Sequence, residues 1–283
     1  MSSVGRSDAQ CPDEQIRSAR KAGEQMSSLD MMDLLKQVSS EFIEPRFQAL
    51  TDNEIQSKTP GDFVTIADRQ AEEALSVALL AANPEAVVVG EEACFADPTR
   101  LGAVGEAEHC FVVDPLDGTN NFVRGSENFA VMVAELRGAQ LAASWIWQPR
   151  FGLGFSAEHG CGVFCNGVRL RPLPLQQPPL GASSFPPWRG IDAGGRLAPV
   201  VKSTRSAGID YPNVVTGAID FIVFRFPKPW DHLPGQLMLQ ELGGDIVHAD
   251  GRLYRPGSGR SAILACRDAG AGEQLAALWP WQG

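Results

Sequence analysis

The chain contains no apolar run approaching the ~18 residues of a membrane-spanning helix, so no membrane partner is expected. Its first 25 residues are polar and hold no apolar stretch of the secretory-signal kind. Positive charge is in short supply: 24 Lys and Arg face 34 Asp and Glu, for a net charge of −10. Nucleic-acid surfaces need clustered Lys and Arg, so no nucleic-acid partner is expected either. The six cysteines, Cys11, Cys94, Cys110, Cys161, Cys165 and Cys266, follow no disulfide-framework spacing. Free thiols in a cytoplasmic protein are the expectation. Cys161 and Cys165 are spaced like half a zinc site, but no second pair follows. The four histidines show no H-E-x-x-H pairing, and no G-x-S-x-G elbow or internal repeat occurs.

What is present is ordinary globular composition, 44% hydrophobic and 20% charged over 283 residues, ample for a large core. The chain is organised around one stretch, Asp114-Pro115-Leu116-Asp117-Gly118-Thr119-Asn120-Asn121-Phe122. The apolar Cys110-Phe111-Val112-Val113 before it reads as a short buried strand. Pro115 fixes φ and cannot extend a sheet ladder, while Gly118 permits a sharp turn. The expected geometry is a loop at the carboxyl edge of a sheet, with both acids turned toward one point. Two such acids repel, and a divalent cation, which prefers carboxylate and carbonyl oxygens, is the natural neutraliser.

Either side of this stretch the pattern alternates between helix and strand. Residues 1–24 are expected to form a flexible tail. Met31, Leu35, Val38 and Phe42 recur at helical spacing, and Pro45 ends or kinks that helix. A loop over 58–61, a strand over 62–66 and a helix over 69–82 with Asp68 as its N-cap follow. The run 86–89 is a second buried strand that delivers Glu91 and Glu92. Residues 93–108, Gly-rich and aperiodic, read as a surface loop able to act as a flap. Strands are expected over 129–135 and 140–147, joined at Gly138, and over 151–155 and 162–164. Proline density over 172–190 suggests a connection between two halves. In the second half the pattern gives a helix over 195–202, a loop over 206–217, a strand over 219–226 and a helix over 233–242 opened by Asp231. Gly243-Gly244 stops that helix. A hairpin about Asp250-Gly251, a strand over 261–266 and a helix over 273–278 complete the chain.

At Asp114 to Phe122 the sequence resembles the D-P-[I/L]-D-G-T-x-N-F block of the inositol monophosphatase family, the magnesium-dependent, lithium-sensitive sugar phosphatases. Three further blocks resemble the family in the same order: Lys58 to Glu72, Gly90-Glu91-Glu92, and Trp230-Asp231 through Gly235 with Glu241 to Gly244. The resemblance covers roughly residues 25 to 283. It implies an α/β (α+β) fold, a layered αβαβα sandwich of the inositol monophosphatase and fructose-1,6-bisphosphatase type. Residues 25–171 would form an N-terminal half with most metal ligands. Residues 172–283 would form a C-terminal half with Asp231 and substrate-facing residues. A homodimer is implied on the same ground.

The resemblance also assigns roles. Glu91, Asp114 and Asp117, with the Leu116 carbonyl, would bind the first metal positions, and Asp117 and Asp231 would share a second. Thr119 would position the attacking water, with Asp68 hydrogen-bonded to it. The Gly118 and Thr119 N–H groups would face the phosphate. Lys58 would balance charge, and Glu92 would orient Glu91 or reach a metal through water. Two or three Mg²⁺ would bring four carboxylates and a phosphate dianion to within about two charges of neutrality. The implied reaction is two-metal hydrolysis of a phosphomonoester.

Singly, these residues have plainer readings: a solvated pair for Glu91 and Glu92, a turn for Asp114 and Asp117, helix caps for Asp68 and Asp231, and an exposed lysine for Lys58. A catalytically silent binding module also remains a reading of a different class. Substrate choice is open. Family members that prefer inositol phosphates carry an acid seven residues before the W-D aspartate, and Phe224 stands there, followed by Arg225. Arg225 would favour a second anionic group or pair with a surface acid. Inositol monophosphate, other sugar phosphates, histidinol phosphate and 3′-phosphoadenosine-type nucleotides all stay in view.

Overall fold

The computed structural model describes residues 28–255, 258 and 261–281, so the expected tail over 1–24 lies outside the described residues. Helix α1 (Ser28–Val38) runs into a π-turn (Ser39–Ile43) and a 3₁₀ turn at Pro45. A hairpin of β1 (Ile55–Thr59) and β2 (Asp62–Thr65) leads to α2 (Ile66–Ala82). Lys58 thus lies in a strand rather than in a loop. Thr65, not Asp68, caps α2. Its side chain accepts from the Ala67 N–H, while Asp68 at the third helical position reaches back to the Thr65 N–H, a reciprocal capping box.

A seven-stranded sheet follows, in the order β3-β4-β5-β6-β7-β8-β9. Its members are β3 (Val87–Gly90), β4 (His109–Asp117), β5 (Ala130–Arg137), β6 (Gln140–Gln148), β7 (Leu153–Glu158), β8 (Gly162–Cys165) and β9 (Val168–Arg169). Only β3 and β4 pair in parallel, so the rest is a meander of hairpins. Residues 93–108 are not a free flap. Helix α3 (Glu91–Ala96) and a 3₁₀ turn occupy most of them, and Cys94 and Val104 are buried in the core.

The second sheet has the order β11-β10-β12-β14-β13. It is built from β10 (Gly181–Ser183), β11 (Val201–Lys202), β12 (Phe221–Phe224), β13 (Asp245–His248) and β14 (Ile263–Cys266). The proline-rich stretch supplies β10 and a 3₁₀ turn at Pro186–Trp188. Buried Asp220 ties its start down, accepting from the Gln176 and Leu180 N–H groups while pairing with the buried Arg267 guanidinium. The helix expected over 195–202 is absent; β11 lies at its end. The loop expected over 206–217 is instead α5 (Ala207–Val215). Pro212 lies inside this helix and has no N–H to donate to the carbonyl four residues back. That carbonyl, on Gly208, is taken by the Gln148 side chain at 2.7 Å, which removes the cost of the missing bond.

Helix α6 (Pro229–Glu241) starts earlier than expected, with proline at its first position, so Pro234 lies beyond the first turn. It ends in a Schellman arrangement: the Gly244 N–H donates to Leu239 O and the Gly243 N–H to Gln240 O, with Gly243 at φ +90°. Helix α7 (Ala269–Leu278) closes the described chain. No helix among the described residues is long and apolar enough to cross a membrane.

Side-chain alternation along the strands sorts these elements into five layers. Phe111 and Val113 of β4, with Val131, Val133 and Trp145, face Met31 and Leu35 of α1 and Leu75 and Leu79 of α2. Val112, Met132 and Ile146 face the other way, onto Tyr211 and Val214 of α5 and Leu237 and Met238 of α6. Those helices also pack on Ile222 and Ala265 of the second sheet, whose far side, Phe221 and Leu264, packs on Leu275 of α7. The order is αβαβα. A helix between two sheets must be apolar almost all round, and eight successive residues of α6, His232 to Leu239, are buried.

The α5–α6 contact leaves no room for a methyl group at Gly235, where a Cβ would fall 2.1–2.5 Å from the Tyr211 ring. Gly235→Ala is expected to destabilise the fold by about 1–3 kcal/mol. A urea-denaturation midpoint equal to wild type would show that this contact is looser than described.

Candidate metal and phosphate site

The acids gather because β4 does not stop where proline should stop it. The strand continues to Asp117 with a bulge: Asp114 pairs with Met132 and Asp117 with Ala130, three steps on β4 against two on β5. Pro115 and the extra residue are absorbed there, as prolines in sheets usually are. Leu116 N donates to Asp114 Oδ1 at 3.1 Å and fixes that carboxylate. Glu91 arrives at the end of the neighbouring strand β3, in the first turn of α3. Asp231 arrives as the third residue of α6, whose N-cap is Lys228, so the cap reading does not hold for it.

One carboxylate oxygen from each of Glu91, Asp114 and Asp231 lies within 4.8 Å of the others. Asp114 is 1% exposed, and the other two are half-buried. Burial, reinforced by Glu91, Asp117 and Asp231, pushes the Asp114 carboxyl well above its usual range. Burial also pushes Asp231 up to about 8, with Glu91 adding to the push against the pull of Lys228. Glu91 alone falls below its usual range: burial opposes its ionisation, but Lys228 and Lys58 outweigh it.

Lys58 Nζ sits 3.1 Å from Glu91 and also bonds Glu92, with its side chain only 3% exposed. Lys228 Nζ lies 3.2 Å from Glu91 and was not singled out from the sequence, although it precedes Asp231 by three residues. Glu72 was missed as well. Its two oxygens accept the Glu92 and Ala93 N–H groups at 2.7 and 2.8 Å, which caps α3 from outside and aims Glu91. Nothing in the local sequence marks that long-range cap. A Cβ at Gly90 would fall 2.2 Å from the Glu72 carboxyl, so glycine there is a condition of the arrangement.

Asp117 stands beside the trio rather than within it. Its oxygens accept from the Ala207 and Gly208 N–H groups at 3.1 and 2.8 Å and from the Ser206 hydroxyl. The start of α5, in the stretch expected to be a loop, thus holds this acid. Burial still pushes Asp117 up to about 6.

Thr119 Oγ1 lies 2.8 Å from Asp68 Oδ1 and 2.9 Å from Leu116 O, so these three groups meet at one hydroxyl. Burial pushes Asp68 up to about 6 against its bonds from Thr65 and Thr119. Gly118, at φ +84° and with Asn128 O 2.8 Å from where a Cβ would be, turns the chain into the short helix α4 (Thr119–Val123). Among the described residues Arg225 has no carboxylate partner; its guanidinium lies over Phe185 at 4.1 Å.

The inositol monophosphatase family model matches residues 26–279. The chain belongs to the inositol monophosphatase family. Membership makes it a phosphoric monoester hydrolase by class. It is 33% identical over 210 residues to an inositol-1-monophosphatase of Mesorhizobium japonicum, covering 70% of this chain and 76% of that one. It is 29% identical over 249 residues to the Nus factor SuhB of Pseudomonas aeruginosa, covering 81% and 82%. A staphylococcal inositol monophosphatase-1, solved as a LiCl-soaked inhibitory complex, superposes with a TM-score of 0.78 at 22% identity, over 94% and 98% of the two chains.

The raised carboxyls have a consequence for stability. An acid whose pKa is higher folded than unfolded binds its proton more tightly in the folded state, so stability falls as pH rises from the unfolded to the folded value. For Asp231 those values are 3.8 and about 8, and Glu92 and Asp210, each at about 7, act in the same sense. His232, held near 3 by burial, acts oppositely only below its ordinary 6.5. Without divalent cations, the denaturation midpoint is expected to fall between about pH 7 and 8.5. Mg²⁺ should raise it more at the upper end. A midpoint that is flat with pH and indifferent to Mg²⁺ would contradict the cluster.

Proposed function

We propose that the chain is a Mg²⁺-dependent phosphomonoesterase that hydrolyses a small phosphorylated alcohol, inositol monophosphate or a related sugar phosphate, to the alcohol and inorganic phosphate. The observation that carries this reading is the meeting of Glu91, Asp114 and Asp231 within 4.8 Å. Carboxylates from three distant segments, drawn that close with only lysines to offset them, have a physical reason to be there if a cation joins them.

The residues fit magnesium. All donors are hard oxygens, and water and phosphate can supply the rest of an octahedral shell. Glu91, Asp114, Asp117, Asp231 and the Leu116 carbonyl would hold two or three ions. When bound, magnesium lowers the pKa of a coordinated water and offsets charge on the departing oxygen.

The chain's own groups do the rest. Thr119 Oγ1 has a single proton, and its two acceptors, Asp68 and Leu116 O, both orient the hydroxyl so that a lone pair is left for a water. Asp68 thereby fixes the line along which that water meets phosphorus. The first N–H groups of α4, beginning at Thr119, have no intrahelical partners and favour an anion beside them. Lys58 and Lys228 hold Glu91 ionised, and Glu72 keeps the turn that carries it in place. Histidinol phosphate and 3′-phosphoadenosine-type nucleotides are alternative substrates on the same scaffold. A cytoplasmic homodimer is proposed on the family resemblance. The Nus factor name of the P. aeruginosa relative favours, as a second reading, a binding role without turnover.

Phosphate release from a panel of monoesters with and without Mg²⁺ separates these readings, because a binding module releases none. Asp114→Asn and Asp231→Asn are each expected to lower kcat roughly a thousandfold or more, several kcal/mol of lost charge stabilisation. Far-UV circular dichroism should remain native in both. Near-normal turnover in either variant would remove that residue from the site. Millimolar LiCl is expected to inhibit, and an undiminished rate would count against a lithium-sensitive metal site.

A further inference from the structure

We infer that Lys228 is a tethered cation: with no metal bound its ammonium stands in for the ion at Glu91, and an arriving divalent cation takes its place. The inference rests on the Mg²⁺-dependent reading of the site and adds the residue that sets how readily that site fills.

Two lysines meet on one atom. Lys58 and Lys228 both donate to Glu91 Oε1, at 3.1 and 3.2 Å. A carboxylate oxygen has two lone pairs, and the two ammonium groups claim them. The same carboxylate brings an oxygen within 4.8 Å of the Asp114 and Asp231 oxygens. A divalent ion shared by that trio would face both ammonium charges across a few ångströms, where like charges in a partly buried setting repel strongly. Glu91 therefore does not keep both lysines and an ion, and the lysine held less firmly is the one that gives way.

Burial and partners mark which lysine that is. Lys58 is enclosed, 3% exposed, and shared between Glu91 and Glu92, so withdrawing it would strand a second carboxylate. Lys228 has 44% of its side chain exposed, and among the described residues Glu91 is its sole ion-pair partner. Its backbone is fixed. Pro227 and Pro229 flank it, and it is extended at φ −120° and ψ 144°, as a residue before proline prefers. Only the flexible four-carbon side chain has to move, and water already reaches it. Nζ also lies 5.6 Å from the ring centroid of buried Trp230, a face that can hold the cation once it leaves the carboxylate. Lys228 stands three residues before Asp231, so the head of α6 carries both an acid of the trio and the cation that stands in for the metal.

Calorimetric titration of Mg²⁺ into the full chain, stripped with EDTA and dialysed, reads the competition, and thermal midpoints in EDTA and in saturating Mg²⁺ identify its cause. Lys228→Met is expected to bind Mg²⁺ about tenfold more tightly than wild type, the scale of one nearby charge. Its midpoint should fall in EDTA, where Glu91 has lost a counter-charge, and match or exceed wild type in Mg²⁺. A lysine that stays on Glu91 throughout would instead cost stability in both conditions. Lys228→Gln, which keeps a donor without the charge, should tighten binding likewise and replaces the methionine variant if that one does not fold without metal. Lys228→Arg should keep the dissociation constant within about threefold. Lys36→Met, on the exposed side of α1 beside Asp33, should change neither reading. Mg²⁺ binding no tighter in the uncharged variants than in wild type, or a midpoint lowered equally with and without Mg²⁺, would overturn the inference alone. A wild type that takes up no Mg²⁺ would overturn the metal reading along with it.

Discussion

Carboxylates that crowd together out of water oppose folding twice, once by losing hydration and once by repelling each other. Glu91, Asp114, Asp117 and Asp231 do both; burial raises the carboxyls of Asp114, Asp117 and Asp231, while Lys228 and Lys58 hold Glu91 low. The surrounding structure is arranged to bear that cost. Lys58 is enclosed against Glu91 and Glu92, the first turn of α5 binds Asp117, and the Leu116 N–H holds Asp114. Glu91, Asp117 and Asp114 are each pinned by a different neighbour, so none of these three can swing away to relieve the repulsion. On the proposed reading, a divalent cation would turn that repulsion into binding.

The seven-stranded sheet and the helices packed between the two sheets meet at this cluster. β3 and β4 bring Glu91, Asp114 and Asp117 from the seven-stranded sheet, whereas α6, lying between the sheets, brings Asp231. Asp117 crosses the same divide through its bonds to Ser206, Ala207 and Gly208. The site therefore depends on packing around α6, where Gly235 lets Tyr211 approach closely, as much as on its own acids. Asn121 adds a further tie, donating to the Asn128 and Thr204 carbonyls at 2.8 and 2.9 Å.

Much of this was legible in advance where periodicity was strong. The strands β3 to β8 and the helices α1, α2 and α6 follow alternation and helical spacing, because each buries one face or both. The layered fold and the acids themselves came from the resemblance of motif blocks rather than from periodicity. The misreadings share a cause: a local signal was overruled by a distant partner. Pro115 reads as a strand end, but a bulge absorbs it. Residues 206–217 read as a loop, but α5 forms there, with Gln148 bonding the Gly208 carbonyl that Pro212 cannot reach. Residues 93–108 read as a free loop, but Cys94 and Val104 are drawn into the core. Asp68 reads as a cap, but Thr65 takes that place and leaves Asp68 free to hold Thr119.

By itself the sequence determined which residue types are available and in what order: hard acids at strand ends, one glycine that turns, and a hydroxyl beside it. Those are local properties, set by backbone sterics and side-chain chemistry. Only the tertiary structure decided which acids share a point, that Lys228 and Glu72 serve Glu91, and that Arg225 rests on rings instead of pairing with a carboxylate. Such choices turn on separations of a few ångströms between residues far apart in the chain. Coulombic and hydrogen-bonding energies vary steeply over that range, and only packing sets it.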